Sequence, residues 1–353
     1  MSTMAQSEMV VTVGVDTHRD VHVAAALDER GRLLGCELFP VSRDGYEAMV
    51  RWVQRLGVVG RFGIEGTGCW GAGLTRHLME RGFDCVEVIR PNRQHRRRHG
   101  KSDPADSLGA ARAVLSGEAT GRPRGGDGPV EGLRTNRVAL RSATKARIQA
   151  INQIRSLVIT APDQLRRVLE GLPSKQLVAT VARFRVTGDL GVINTTKAAM
   201  RSLGRRVEYL DDEITELKAL RDALIAESAP EGLLDEYGVG PDVAANLLIT
   251  FGTNPDRIGS DAAFAALCGV SAVDASSGLQ QRHRLNRGGD RQANHALWRI
   301  VTVRLAHHQP TRDYIARRIS EGKTKREAIR TLKRHIVRRV WRILDNHPPL
   351  DKP

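Results

Sequence analysis

The sequence predicts an α/β domain at the N-terminus, then a helical coiled-coil region, then a basic and mainly α-helical unit. Three observations carry this reading. Short β-branched runs alternate with stretches of helical spacing over the first hundred residues. A glycine- and proline-rich segment, Gly121–Pro129, separates them from long helices patterned in heptads. Positive charge gathers at the far end. The expected boundaries are 1–125, 126–230 and 231–353, and the length of 353 residues suits two or three domains.

In the first unit, Val10–Val15 is a β-branched run, and a polar turn at Thr17–Asp20 leads to a second run, Val21–Leu27. Gly31 opens a third, Leu33–Phe39, so the three read as an antiparallel meander. Ala48, Met49, Trp52, Val53 and Leu56 recur at helical spacing. Phe62–Ile64 is a fourth strand, Leu74–Glu80 lies in a helix, and Cys85–Ile89 is a fifth strand. Asp103-Pro104 starts a helix running to about Leu115, with proline in its first turn. The order βββαβαβ followed by a helix is that of an RNase H-like, or RuvC-like, domain.

Beyond the linker, Leu203, Leu210, Leu217 and Leu224 fall every seventh residue, with Val207 and Ile214 between them and Arg221 interrupting one position. Ile148, Ile151 and Val158 stripe an earlier helix. Such a seam suits either a coiled coil between protomers or a helical hairpin within one chain. Further on, Gly238-Val239-Gly240-Pro241 has the form of a helix-hairpin-helix turn, which aims backbone N–H groups at a DNA phosphate or simply reverses the chain.

Lys and Arg number 55 against 40 Asp and Glu, a formal +15, with an isoelectric point near 10.4. Residues 281–353 hold 19 of those bases and six acids, a net +13. So localised an excess is the footprint of a polyanion, and nucleic acid fits it better than a membrane surface. No apolar run reaches membrane-spanning length, and the N-terminus lacks a secretory pattern. Aromatic residues are only 4%, too few for single-strand stacking platforms. Four scattered cysteines without a C-x-x-C pair point to reduced thiols in the cytoplasm and away from structural zinc.

Four acids stand where metal-dependent phosphoryl chemistry wants them. Asp16 ends the first strand in VGVDTHRD, and Glu65 ends the fourth in GIEGTG. Asp103 and Asp106, in KSDPADS, share one helix face at i, i+3 spacing. Clustered carboxylates repel unless cations join them. Two Mg²⁺ ions about 3.5–4 Å apart would neutralise four charges and stabilise the attacking and leaving oxygens of phosphodiester exchange. Each acid also has an ordinary role, Asp103 as a helix cap and Asp16 in an Asx-turn. Phosphate contacts are expected from Arg93, Arg96, Arg97, Arg98 and Lys101 in RPNRQHRRRHGK, from Arg282, Arg284, Arg287 and Arg291, and from Lys323, Lys325, Arg326, Lys333 and Arg334.

With those motifs, VGVDTHRDVHVAA, IEGTGCWG and KSDPADSLGAARA, the chain resembles the DEDD transposases of insertion-sequence family 110, whose relatives include Piv-type DNA invertases. FAALCGVSAVDASSG and RHRLNRGGDRQANHALWRI resemble the family's C-terminal transposase domain. The resemblance implies a recombinase of the prokaryotic cytosol acting on donor and target DNA. It implies Asp16, Glu65, Asp103 and Asp106 as ligands of Mg²⁺, for which Mn²⁺ substitutes. It also implies a nucleophilic serine matched by Ser277 before Gly278, the doubled Ser276-Ser277 leaving two positions for it. A structured guide, or bridge, RNA from the element and a dimeric or tetrameric assembly are implied too. A hydrolytic nuclease of the Holliday-junction resolvase type and a non-catalytic nucleic-acid-binding protein are the rival readings of the same residues.

Overall fold

A computed structural model of the chain describes residues 9–88, 102–123, 125–252, 258–271, 273–274, 283–284 and 286–345. The first unit runs β1 (Val10–Thr17), β2 (Val21–Leu27), β3 (Leu33–Pro40), α1 (Arg43–Leu56), β4 (Val58–Glu65), α2 (Ala72–Glu80), β5 (Asp84–Val88) and α3 (Asp103–Leu115). Its strands form one mixed sheet in the order β3-β2-β1-β4-β5. The meander β1–β2–β3 is antiparallel, while β4 and β5 add in parallel beside β1. This matches the expected strand order and fits an RNase H-like α/β domain.

Strand periodicity sorts the side chains of β1 and β4 onto two faces. Val13 and Val15 pair in register with Phe62 and Ile64, and all four enter a core with Met49, Trp52 and Val53 of α1 and Leu74 and Leu78 of α2. Between them, Gly14 pairs with Gly63, so these glycines face the opposite side. There α3 lies almost directly on the sheet. A Cβ on Gly14 would sit 2.1 Å from Ala111 N and Ser107 O, and one on Gly63 would sit 2.5 Å from Val114 Cγ2. Alternation carries the same face two residues onward, to Asp16 on β1 and Glu65 on β4.

The heptad seam closes within the chain. Two long helices, α4 (Gly128–Thr160) and α7 (Val192–Ser228), pack as an antiparallel hairpin; at 1.5 Å per residue each is about 50 Å long or slightly more. Leu210 and Ile214 cluster with Leu140 and Ala143, while Val207 and Met200 join Ile151, Ile154 and Val158. Leu217 O accepts a hydrogen bond from Asn136 Nδ2 at 3.1 Å. Short helices α5 (Asp163–Leu169) and α6 (Ser174–Ala182) complete the core at the hairpin tip. The coiled coil between protomers is thereby corrected: these apolar positions are already covered by α4. Arg221, which breaks the heptad, is 9% exposed and pairs with Asp222 at 2.8 Å and Asp242 at 2.5 Å.

The remaining elements are α8 (Pro241–Phe251), α9 (Asp261–Leu267), the paired short strands β6 (Val273–Asp274) and β7 (His283–Arg284), α10 (Arg291–His307), α11 (Gln309–Ser320) and α12 (Lys325–Asp345). Their core, built on Phe264, Leu247, Leu297, Ile300 and Val337, also takes in Leu133 and Ile225 from the hairpin. Glu236, buried before α8, pairs with Arg304 of α10 and with Arg339 of α12 at 2.5 Å. Among the described residues, no helix is long and apolar enough to cross a membrane.

Two predictions follow from packing in the first unit. Gly14→Ala sets a methyl against the backbone of α3, which no side-chain rotation relieves; a loss of about 1–3 kcal/mol is expected. Urea unfolding measures it, and an unchanged midpoint would show that α3 does not rest on β1. His22, fully buried and stacked on Tyr46 at 5.8 Å, is held neutral by burial and then by the charge of His18, its pKa lowered from 6.5 to about 4. The unfolded chain takes up that proton at higher pH than the folded one. Stability therefore falls as pH drops from 6.5 toward 4, and His22→Phe should flatten the fall in a pH series of thermal melts.

Candidate active site

The acids meet because of the glycine pair. Asp16 and Glu65 sit two residues beyond Gly14 and Gly63, at the adjacent ends of parallel strands, and both are buried. Thr17 ties the two strand ends together, its hydroxyl donating to Glu65 O at 2.7 Å. Gly66 follows with φ +69°, which the loop needs to turn back toward β1; a Cβ there would lie 3.3 Å from Thr17 Oγ1. Ser107 and Ala111 of α3 press on Gly14, so the turn before them delivers Asp103 and Asp106 over the same strand ends. Asp106 is buried, and the Asp103 side chain is half-exposed. Residue by residue, then, Asp16, Asp103 and Asp106 converge, and Glu65 stands on the neighbouring strand of the same face.

Burial raises the pKa of Asp16, the nearby charges of Asp106 and Asp103 raise it further, and His18 opposes them. The Nε2 of His18 lies 3.0 Å from Asp16 Oδ2 and 3.3 Å from Asp103 Oδ1. Donor atoms of Asp16, His18 and Asp103 all lie within 4.8 Å of one another, a spacing that suits one cation. The donor set fits a hard divalent ion: carboxylate oxygens predominate, and positive charge among them would favour the ionised form of Asp16 that burial, and then the neighbouring carboxylates, oppose. Asp16, His18 and Asp103 could hold such an ion; Asp106 and Glu65 stand on the same face outside that group. Sequence reasoning passed over His18, although its place two residues after Asp16 in VGVDTHRD was a usable signal. Trp70, on the loop after Glu65, is another exposed residue beside this face that the sequence reading did not single out.

The basic positions divide. Arg284, Arg287 and Arg291 are exposed around the start of α10, and Lys323, Lys325 and Arg326 are exposed around the start of α12. Lys333 is corrected as a surface contact: it is 6% exposed and donates to Asn294 Oδ1 at 2.8 Å, because its helix position faces the core beside Leu332 and Val337. Arg334 is engaged by Asp261 at 2.9 Å. Arg93, Arg96, Arg97, Arg98, Lys101, Ser276, Ser277 and Arg282 lie outside the described residues. Their flanks are anchored nonetheless. Val273 and Asp274 pair with Arg284 and His283, and Asp290, which donates its N–H to Leu267 O, caps α10 by accepting from Gln292 N and Ala293 N. Gly269 and Gly289 cross so closely there that a Cβ on Gly289 would lie 2.3 Å from Gly269 N.

Two family models match the chain. One, described as Transposase and drawn from DEDD proteins of the IS110 type, matches residues 13–161, a span holding all four acids. The other, described as Transposase IS116/IS110/IS902 family, matches residues 233–316, a span holding Ser277. No curated protein matches the chain. With both models aligned in one order along it, the chain belongs to the IS110 family of DEDD transposases, enzymes that cut and join DNA.

Proposed function

We propose that this transposase is a Mg²⁺-dependent recombinase in which Ser277 attacks DNA beside the DEDD carboxylates. The observation that supports it most is the convergence of Asp16, Asp103 and Asp106 at the strand ends where Glu65 also lies. Bound Mg²⁺, with Mn²⁺ as a substitute, would supply Lewis acidity to the phosphodiester oxygens and lower the pKa of the attacking hydroxyl. The four carboxylates orient that charge, and burial of Asp16, Glu65 and Asp106 limits water around it. The Ser277 oxygen forms a bond to phosphorus while the P–O3′ bond breaks, and the released 3′ oxygen takes a proton. A 3′-hydroxyl of another strand reverses the step, so the bond energy is kept in the phosphoserine link and no nucleotide cofactor is needed.

Exposed Arg284, Arg287, Arg291, Lys323, Lys325 and Arg326 support phosphate contacts along donor and target DNA. The same charges accommodate a structured guide RNA, a part of the proposal that rests on the family. An assembly of two or four chains is supported by apolar residues left exposed on the outer surface of the hairpin, among them Val138, Ile148, Tyr209 and Leu220. That surface, and not the covered 203–224 seam, is the one we propose for a partner.

Purified protein, guide RNA and paired donor and target DNA in Mg²⁺ test the proposal. Asp106→Asn is expected to abolish cleavage with DNA affinity nearly unchanged, since affinity follows the basic surface. Ser277→Ala is expected to remove both strand exchange and the covalent protein–DNA product seen on denaturing gels. Cleavage retained in Ser277→Ala would make water the nucleophile, and exchange by RNase-treated protein would remove the guide.

A further inference from the structure

We infer that His18 is a nitrogen ligand of the cation held by Asp16 and Asp103, making this a mixed nitrogen–oxygen site; the inference rests on the carboxylate site proposed above. Asp16 lies near the end of β1, and His18 follows just past the last strand residue, Thr17. Asp103 comes from the first turn of α3. One ring nitrogen, Nε2, faces both carboxylates, at 3.0 and 3.3 Å.

An octahedral ion with ligands at about 2.1 Å sets adjacent donors about 3.0 Å apart and opposite donors about 4.2 Å apart. The three donor atoms lie within 4.8 Å of one another, and the two distances from Nε2, 3.0 and 3.3 Å, are close to the spacing of adjacent donors. Nε2 hydrogen-bonds Asp16 Oδ2 at 3.0 Å and lies within ion-pair range of Asp103 Oδ1 at 3.3 Å, so the same ring edge faces both carboxylates. A lone pair on Nε2 directed at a cation between the carboxylates satisfies all three groups together. The side chain of His18 is 42% exposed, so an ion can arrive from solvent without the fold opening.

An imidazole donor changes which metals the site prefers. All-oxygen sites suit Mg²⁺, Ca²⁺ and Mn²⁺, whereas an imidazole nitrogen shifts preference toward later first-row ions such as Fe²⁺ and Ni²⁺. His18 is thereby assigned to metal selection within a site whose charge comes from the acids.

The test reads binding and not catalysis. Mn²⁺ is added to the full-length protein, and its electron spin echo is examined for modulation by a directly coordinated ¹⁴N nucleus; titration calorimetry gives affinities for Mn²⁺ and Mg²⁺. Wild type should show the nitrogen coupling. His18→Ala should lose it and bind Mn²⁺ at least about tenfold more weakly, the loss that even outer-shell partners of metal ligands produce. His18→Asp, which returns an oxygen donor, should recover Mg²⁺ binding without the coupling. Circular dichroism of each variant confirms folding. Mn²⁺ bound by wild type without nitrogen coupling would overturn the role of His18 and leave the carboxylate site standing. No Mn²⁺ binding by wild type would overturn both.

Discussion

Everything at the candidate active site depends on one backbone contact, the seating of α3 on the paired glycines of β1 and β4. Helices resting on sheets usually stand off by the thickness of two side-chain layers. Here Gly14 and Gly63 remove one layer at the same rung of the ladder, and Ala110 and Ala111 thin the other. The helix start is thus lowered until Asp103 and Asp106, from a distant part of the sequence, come within range of Asp16. A rise of even one methyl at Gly14 would meet backbone atoms at 2.1 Å, so the approach has no slack. Close seating is the condition for charge convergence, and charge convergence is the condition for the chemistry.

Convergence carries a cost that the sheet must bear. Bringing carboxylates together in a buried place is unfavourable in the metal-free protein, as the raised pKa of Asp16 records. The apolar face of the same strands offsets it: Val11, Val13, Val15, Phe62 and Ile64 are all fully buried under α1 and α2. Burying a side chain of this kind stabilises by roughly 1.5–3 kcal/mol. The two faces of β1 and β4 therefore divide the labour, one supplying stability and the other holding a strained set of charges in place.

Most of the first unit could be read from its sequence because its signals are local. β-Branched runs, a proline in the first turn of α3, and acids at strand ends each depend on a few neighbouring residues. The seam from Leu203 to Leu224 was different: a heptad says that something packs there, and only the complementary stripe on α4, far earlier in the chain, decides what. Lys333 looked like one more charge in a basic run, yet helix rotation puts it inward, where Asn294 satisfies it. The segment Gly121–Pro129 reads as a free linker, although Gly121 O accepts from Glu87 N of β5 at 2.6 Å and Gly126 lies against Arg76. His18 was hidden because its significance depends on α3, which no local pattern brings next to β1.

That docked linker bears on how the two matched regions of the chain work together. With Gly121 bound to the edge of the sheet, only six residues separate it from the start of α4 at Gly128. At the other side, Leu133 and Ile225 are built into the C-terminal core, Arg137 hydrogen-bonds Asn246, and Arg221 reaches Asp242 at the start of α8. Glu236, gripped by Arg304 and Arg339, then fixes the turn before α8 to α10 and α12; breaking such a buried pair typically costs about 3–5 kcal/mol. The base of the hairpin is thus built into the C-terminal core, while the segment before it is held to the first sheet by the Gly121–Glu87 bridge. The composite site proposed above would have to form either within one chain or between two, and the contacts that seat the hairpin base in the C-terminal core bear on that choice.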